Sequence, residues 1–264
     1  MKTQTIGAGL LAIGSAFAGV RSGHAEAELI QTSEGYQAGK PVEVGIRLKL
    51  DDGWHTYWRN PGEGGMALSV DWKLPDGWVA GPLLHPVPVR FMTGELPGYG
   101  YEKEVVIPVF MTAGASAKGR AEVTAELSWL TCDDSACVPG DASLSISFEH
   151  ENKGPGPGAG VIAKALEKVP QPVAGSRLSV DVDKDSLRLH VALPKGVDPT
   201  GCEVFPATPA TVDHSKPIRL EEVEGGWEAT VPANEYATGA PEELELVLSG
   251  GRLEKPLLLR WTAE

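Results

Sequence analysis

Residues 121–149 read AEVTAELSWLTCDDSACVPGDASLSISFE. Ala121, Val123, Ala125, Leu127 and Trp129 alternate with Glu122, Thr124, Glu126 and Ser128, the two-residue period of a strand with one face on a core. Leu144, Ile146 and Phe148 repeat that period beyond a Pro139-Gly140-Asp141 turn signal. Working outward, the same alternation marks Val42 to Leu50, Leu68-Val70-Trp72 and Val105 to Phe110. Turn clusters at Asp51-Asp52-Gly53 and Pro75-Asp76-Gly77 separate these runs. Glycine (32) and proline (21) make up about one residue in five, which suits many short strands and few long helices. Residues 27–150 are therefore expected to form an immunoglobulin-like β-sandwich.

Past Phe148 the composition shifts. GPGPG at 154–158 reads as a linker. Val161, Ile162, Ala165, Leu166 and Val169 recur at helical spacing up to Pro170. Residues 151–176 are thus a linker with a short helix, expected at the junction between domains. Strand alternation returns at Leu178-Val180-Val182, Leu187 to Leu193, Trp227-Ala229-Val231, Leu244-Leu246-Leu248 and Leu257 to Trp261, giving a second β-sandwich over 177–264. LPDGW at 74–78 and LPKGV at 193–197 form a weak internal echo. The expected class is all-β, two immunoglobulin-like sandwiches joined by a Gly/Pro linker and a short helix.

The N-terminus has the form of a secretory signal over residues 1–25. Lys2 precedes an apolar, small-residue run from Ile6 to Val20, with a cut expected after Ala25 or, as second choice, Ala18. No later stretch approaches the roughly 20 apolar residues of a membrane span. These features predict an exported, periplasmic protein without stable membrane insertion. The net charge of −13 repels phosphate backbones and anionic lipid, so nucleic acid is not an expected partner.

Cys132 and Cys137 can be a staple, a metal clip or a redox pair. A disulfide closing so short a loop stabilises by roughly 2 kcal/mol in the loop-entropy picture, little for a chain with two cores. Two cysteines are half a zinc site. A Cu(I) site on Cys132 and Cys137, with Met92 or His85 as a soft third ligand, is the metal alternative. On strand parity Cys132 falls with Glu122 to Ser128, on the solvent side, where a reactive thiol needs to be. The acidic loop Asp133-Asp134-Ser135-Ala136, and the absence of Lys, Arg or His from 121–149, point to a poorly ionised dithiol that acts inside a complex. Cys202, after the Pro199-Thr200-Gly201 turn, reads as a small buried apolar side chain.

Two aromatic stretches stand apart from ordinary sandwich turns. DGWHTYWRNPGEGG at 52–65 gathers Trp54, His55, Tyr57, Trp58 and Arg59, with the two tryptophans expected in the core. RFMTGELPGYGYEKE at 90–104 places Phe91, Tyr99 and Tyr101 in an expected loop that could lie as a lid over the dithiol.

WHTYWRNPGEGG, WKLPDGW, HPVPVRF…YGYEKEVVIPV and SWLTCDDSACVPG, in that order, resemble the N-terminal periplasmic domain of the protein-disulfide reductase DsbD family. The similarity is closest to the suppressor-of-copper-sensitivity ScsB branch. FPATPATVDHSKP at 205–217 resembles, more weakly, the further β-domain of that branch. The resemblance implies a thiol–disulfide oxidoreductase without cofactor, in which Cys137 forms the mixed disulfide and Cys132 resolves it. It implies that Phe91, Tyr99 and Tyr101 belong to the cap, with Tyr57, Trp58 and Trp129 as supporting aromatics. The implied partners are a membrane-embedded thiol electron carrier acting in trans and a periplasmic thioredoxin-like protein or disulfide isomerase. The cysteines stand one residue closer than in the best-known members. The rival reading is a non-catalytic copper-handling or scaffold protein whose pair binds Cu(I) or stays oxidised.

Overall fold

The computed structural model describes residues 19–151, 154–237 and 239–263, so most of the expected signal, residues 1–18, lies outside the described residues. The first domain contains β1 (Val20–Ser22), β2 (Ala25–Gln31), β3 (Gly35–Tyr36), β4 (Pro41–Leu50), β5 (His55–Gly62), β6 (Ser69–Lys73), β7 (Val79–Ala80), β8 (Val89–Thr93), β9 (Leu96–Glu102), β10 (Glu104–Thr112), β11 (Ala121–Cys132) and β12 (Cys137–His150). One sheet runs β1-β2-β4-β10-β7, the other β3-β12-β11-β5-β9-β8, with β6 also paired to β11. The alternation places Val44, Ile46 and Leu48 of β4 opposite Val123, Leu127 and Trp129 of β11, and all are buried in one core. The strand at the N-terminus bears on where a signal would be cut. Val20–Ser22 pairs with Ala25–Ala27, and Ala25 itself is fully buried.

The turn expected at Pro139-Gly140-Asp141 is instead strand. β12 runs straight from Cys137 to His150, and the reversal falls at residues 133–136. Gly140 is there for packing. It faces Trp129 across the ladder, and a Cβ on it would lie 2.5 Å from the indole. The GPGPG segment is docked rather than free. Gly156 and Gly158 donate to the carbonyls of Thr32 and Gln31 at 2.8 and 3.0 Å. It leads into α1 (Ala159–Leu166), whose Ile162 and Ala165 bury against Ile30 and Val106 on the outer face of the first sheet.

The second domain holds β13 (Gln171–Pro172), β14 (Arg177–Val182), β15 (Ser186–Ala192), β16 (Glu203–Pro206), β17 (Glu221–Val223), β18 (Gly226–Pro232), β19 (Glu243–Ser249) and β20 (Leu257–Thr262). They form two four-stranded sheets, β13-β20-β19-β16 and β14-β15-β18-β17. The first of these is buried on both faces. Val204, Leu246, Leu248, Leu257 and Leu259 face the domain's own core. Phe205, Val247 and Leu258, one residue out of step, join the core of the first domain. Sheets covered on both sides read as continuous apolar runs, and Leu257-Leu258-Leu259 is one.

Phe205 therefore supports both domains, meeting Trp58 and Tyr99 edge-on with ring centroids 6.4 and 5.9 Å away. Phe205→Ala is expected to cost about 3–5 kcal/mol, the usual range for emptying a buried aromatic site. Because five of the seven tryptophans (Trp54, Trp58, Trp72, Trp78, Trp129) lie in the first domain, tryptophan fluorescence in urea should report that loss as a lowered midpoint. A midpoint within error of wild type would show that the two cores are independent.

Candidate functional site

Cys132 and Cys137 are directly opposed at the end of the β11–β12 hairpin and joined as a disulfide, with Cα atoms 4.1 Å apart. The two sulfurs are not equivalent. Cys137 opens β12 in an exposed position, whereas Cys132 is fully buried. The parity expectation for Cys132 is therefore corrected. Its side does face away from the sandwich core, but β5 pairs alongside, His55 with Cys132 and Thr56 with Thr131, and brings Tyr57 onto that face. Tyr57 lies over the sulfur, its hydroxyl donating to Cys132 Sγ at 3.1 Å. A strand pattern records which face a residue takes, not what a strand 75 residues earlier lays across it.

The loop between the cysteines is held by its own first residue. Asp133 Oδ1 accepts from Ser135 N, Ser135 Oγ and Ala136 N at 2.7 to 2.8 Å. Those bonds, the Ser135 backbone first, hold the carboxyl below its usual range. This keeps the charge on the carboxylate and makes the tip a rigid Asx-type turn.

Tyr57 continues into a polar chain. Its hydroxyl lies 3.5 Å from Thr93 Oγ1, which is 2.9 Å from His55 Nε2. Burial pushes the Tyr57 phenol up and the His55 imidazole down, the latter against the opposing pull of Glu102, Asp134 and Asp133. Both groups are thus held neutral. Phe91 covers the same place, its ring centroid 3.9 Å from His55 and 5.6 Å from Tyr57. It can lie flat because residue 98 is glycine, where a Cβ would come 2.5 Å from the ring.

Of the three expected cap residues, the structure brings Phe91 to the site. Tyr99 and Tyr101 are strand residues of β9 and belong to the buried core. Tyr99 accepts from Arg90 at 2.9 Å and packs on Trp58, Phe205 and His214. The Tyr101 hydroxyl donates to the carbonyl of Pro86 at 2.9 Å. An edge hairpin in the sheet, not a loop, carries these residues, and alternate residues along it face opposite ways. Trp58 follows the same rule. It is one step from Tyr57 and faces the second domain, while Trp129 faces the sandwich core beneath the hairpin.

The domain junction beside the site is polar at its edge. Asn60 Nδ2 donates to Pro206 O at 2.7 Å and lies 3.3 Å from His214 Nε2. With Nε2 accepting, His214 Nδ1–H donates to Glu63, 2.9 Å away. Arg90, next to Phe91, donates to the carbonyls of His214 and Lys216 at 3.0 and 3.2 Å. His55, Thr93 and Arg90 are the site residues that sequence reasoning missed. The only signal was their place inside the two aromatic stretches.

For the copper alternative, Met92 is half exposed on β8, and His85 is partly buried beside Arg59, whose positive charge opposes a cation there. Among the described residues no three or more His, Cys, Asp or Glu side chains converge as a metal site. Cys202 is partly buried, and burial pushes its thiol up to about 11. No helix among the described residues is long and apolar enough to cross a membrane.

An immunoglobulin-like sandwich with a half-buried, half-exposed disulfide at a hairpin tip is the frame of a thiol–disulfide interchange domain. Residues 26–148 match the family model of the N-terminal domain of thiol:disulfide interchange protein DsbD. The chain is also similar to the N-terminal periplasmic domain of ScsB from Proteus mirabilis. That crystal structure superposes with a TM-score of 0.66 at 22% identity, over 90% of this chain and 93% of the other, so both domains share its fold. An alignment to the YadV chaperone, at a TM-score of 0.22 and 13% identity, is too loose to bear on the fold. No curated protein matches the chain.

The partly buried histidine gives the fold a pH dependence. Burial, helped by Arg59, pushes His85 down to about 4, against about 6.5 in an unfolded chain. Between those values the unfolded state takes up a proton that the folded state refuses, so stability is full above pH 6.5 and falls as pH drops toward 4. Urea midpoints measured from pH 7.5 to 4.5 should decline in wild type and decline less in His85→Leu. Equal slopes would remove His85 from the account.

Proposed function

We propose that the protein is a periplasmic thiol–disulfide exchange module. It takes two electrons from a membrane-embedded thiol carrier and passes them to a thioredoxin-like protein, a disulfide isomerase or another disulfide-bonded client. The observation that carries this reading is the asymmetry of the pair. In the reduced state the exposed Cys137, as thiolate, attacks a client disulfide, and the client's second sulfur leaves as a thiolate. Cys132 then attacks Cys137 Sγ, re-forming the internal disulfide and releasing the reduced client. The carrier reverses the cycle by attacking Cys137, with Cys132 as the leaving sulfur. Only an accessible sulfur can be approached along the S–S axis, and Cys137 is that sulfur.

Phe91 acts as the cap in this proposal, shielding the pair from small thiols until a partner displaces it. Val89, Met92 and Leu96 of the same hairpin stay exposed and offer that partner an apolar rim. The match of residues 26–148 to the DsbD N-terminal family model supports the class of chemistry. Export supplies the oxidising compartment, and the proposed cut is the second choice, Ala18. A cut after Ala25 would remove β1 and start the mature chain inside β2 of the first sheet.

Phe91→Ala should speed reduction of the disulfide by glutathione severalfold with little change in the urea midpoint. Tyr99→Ala should leave that rate alone and lower the midpoint by several kcal/mol-equivalents of a core truncation. The reverse pattern would return the cap to Tyr99.

Cys132→Ser should strand the client as a mixed disulfide on Cys137, seen as a dithiothreitol-sensitive adduct in periplasmic extracts, while Cys137→Ser should trap nothing. The reduction potential of the wild-type pair should lie above about −300 mV. A lower potential with no adduct would favour a permanently oxidised pair. Copper-dependent protection of both thiols from alkylation would favour the Cu(I) reading.

A further inference from the structure

We propose that Tyr57, Thr93 and His55 form a proton relay that protonates the buried sulfur of Cys132 when the disulfide opens. The inference rests on the exchange reading and goes beyond it by giving the leaving sulfur an acid. When an attacking thiolate bonds to Cys137 Sγ, the S–S bond breaks and its electron pair stays on Cys132. That atom has no exposed surface, and a bare thiolate in an apolar site is costly. Along 121–149 there is no Lys, Arg or His to offset the charge, and Asp133 and Asp134 stand close in sequence with the opposite effect.

What reaches the sulfur is one hydroxyl. Tyr57 donates to Cys132 Sγ at 3.1 Å, Thr93 Oγ1 lies 3.5 Å from that hydroxyl, and His55 Nε2 lies 2.9 Å from Thr93. The donors have a consistent direction: Nε2–H to Thr93 oxygen, Thr93 O–H to Tyr57 oxygen, Tyr57 O–H to sulfur. The protons balance. Tyr57 gives its proton to Cys132 Sγ, Thr93 gives its own to Tyr57, and His55 gives the Nε2 proton to Thr93. His55 takes up at Nδ1, through solvent, the proton that the attacking thiol released when it ionised, and ends as the other neutral tautomer. Among the described residues Nδ1 has no protein partner, and it is not one of the buried orphan atoms, so water can reach it. The longest link, 3.5 Å, has to tighten as charge develops, a common feature of catalytic hydrogen bonds seen before reaction.

Burial keeps His55 neutral against Glu102, Asp134 and Asp133, which all favour its charged form. A neutral ring is what a tautomer exchange needs. Tyr57 touches the reacting atom and is the catalytic residue here. Thr93 and His55 act through it and are positioning residues.

The test uses the full oxidised protein and dithiothreitol, whose thiolate supplies the electrons. Thr93→Val keeps the side-chain shape and removes the hydroxyl. It should slow reduction at least about tenfold, the lower edge of what a lost proton donor costs, and abolish the solvent isotope effect seen in wild type. Thr93→Ser should restore both rate and isotope effect. Tyr57→Phe should slow the reaction at least as much, and the Tyr57→Phe/Thr93→Val double variant should be no slower than Tyr57→Phe, since both break one chain. A Thr93→Val rate equal to wild type, or a Thr93→Ser rate as slow as Thr93→Val, would falsify the relay. If Thr93→Val alone unfolds, Thr93→Ser against Tyr57→Phe carries the same comparison through the isotope effect. A wild-type disulfide inert to dithiothreitol would sink the exchange reading itself, and the relay with it.

Discussion

The structure depends on the two-residue period of one strand. β5 turns His55 and Tyr57 toward the disulfide and Trp58 and Asn60 toward the second domain. β8 repeats the division, with Phe91 and Thr93 at the site and Arg90 tied to the second domain. A shift of one residue in either strand would exchange the two sets. The surroundings of the disulfide and the domain junction are thus two faces of the same pair of strands.

That arrangement explains why the site is unlike an acid-thiolate oxidant. Among the described residues, the side chain that hydrogen-bonds to a sulfur is an aromatic hydroxyl, that of Tyr57. The carboxylate of Asp133 is consumed by its own loop, so its function is to shape the turn and not to activate a thiol. In the proposed exchange, selectivity rests on access to Cys137 and on what can displace Phe91. A protein partner can supply that contact energy over an interface, whereas a small thiol cannot.

Much of the architecture was legible from alternation alone. Val42 to Leu50 and Ala121 to Trp129 are the strands their patterns describe, and the short helix is present but ends at Leu166, four residues before Pro170. What the pattern could not carry was every feature that depends on a distant element. Cys132 has the parity of an exposed residue but lies under Tyr57 of β5. Pro139-Gly140 has the composition of a turn, yet the glycine serves Trp129. Tyr99 and Tyr101 sit among glycines that suggest a loop, although those glycines let strands and rings approach. The doubly apolar run at Leu257-Leu258-Leu259 held a sign of the two-sided sheet, and only its partner in the first domain gives it meaning.

Phe205, Val247 and Leu258 complete the core of the domain that precedes them. The consequence is genealogical. A module whose interior is finished by its neighbour cannot be moved into another chain by recombination at the Gly/Pro segment without exposing an oily wound. The two sandwiches are therefore a single heritable unit. Descendants that keep the cysteine hairpin but discard the second sandwich must have found another way to cover Trp58.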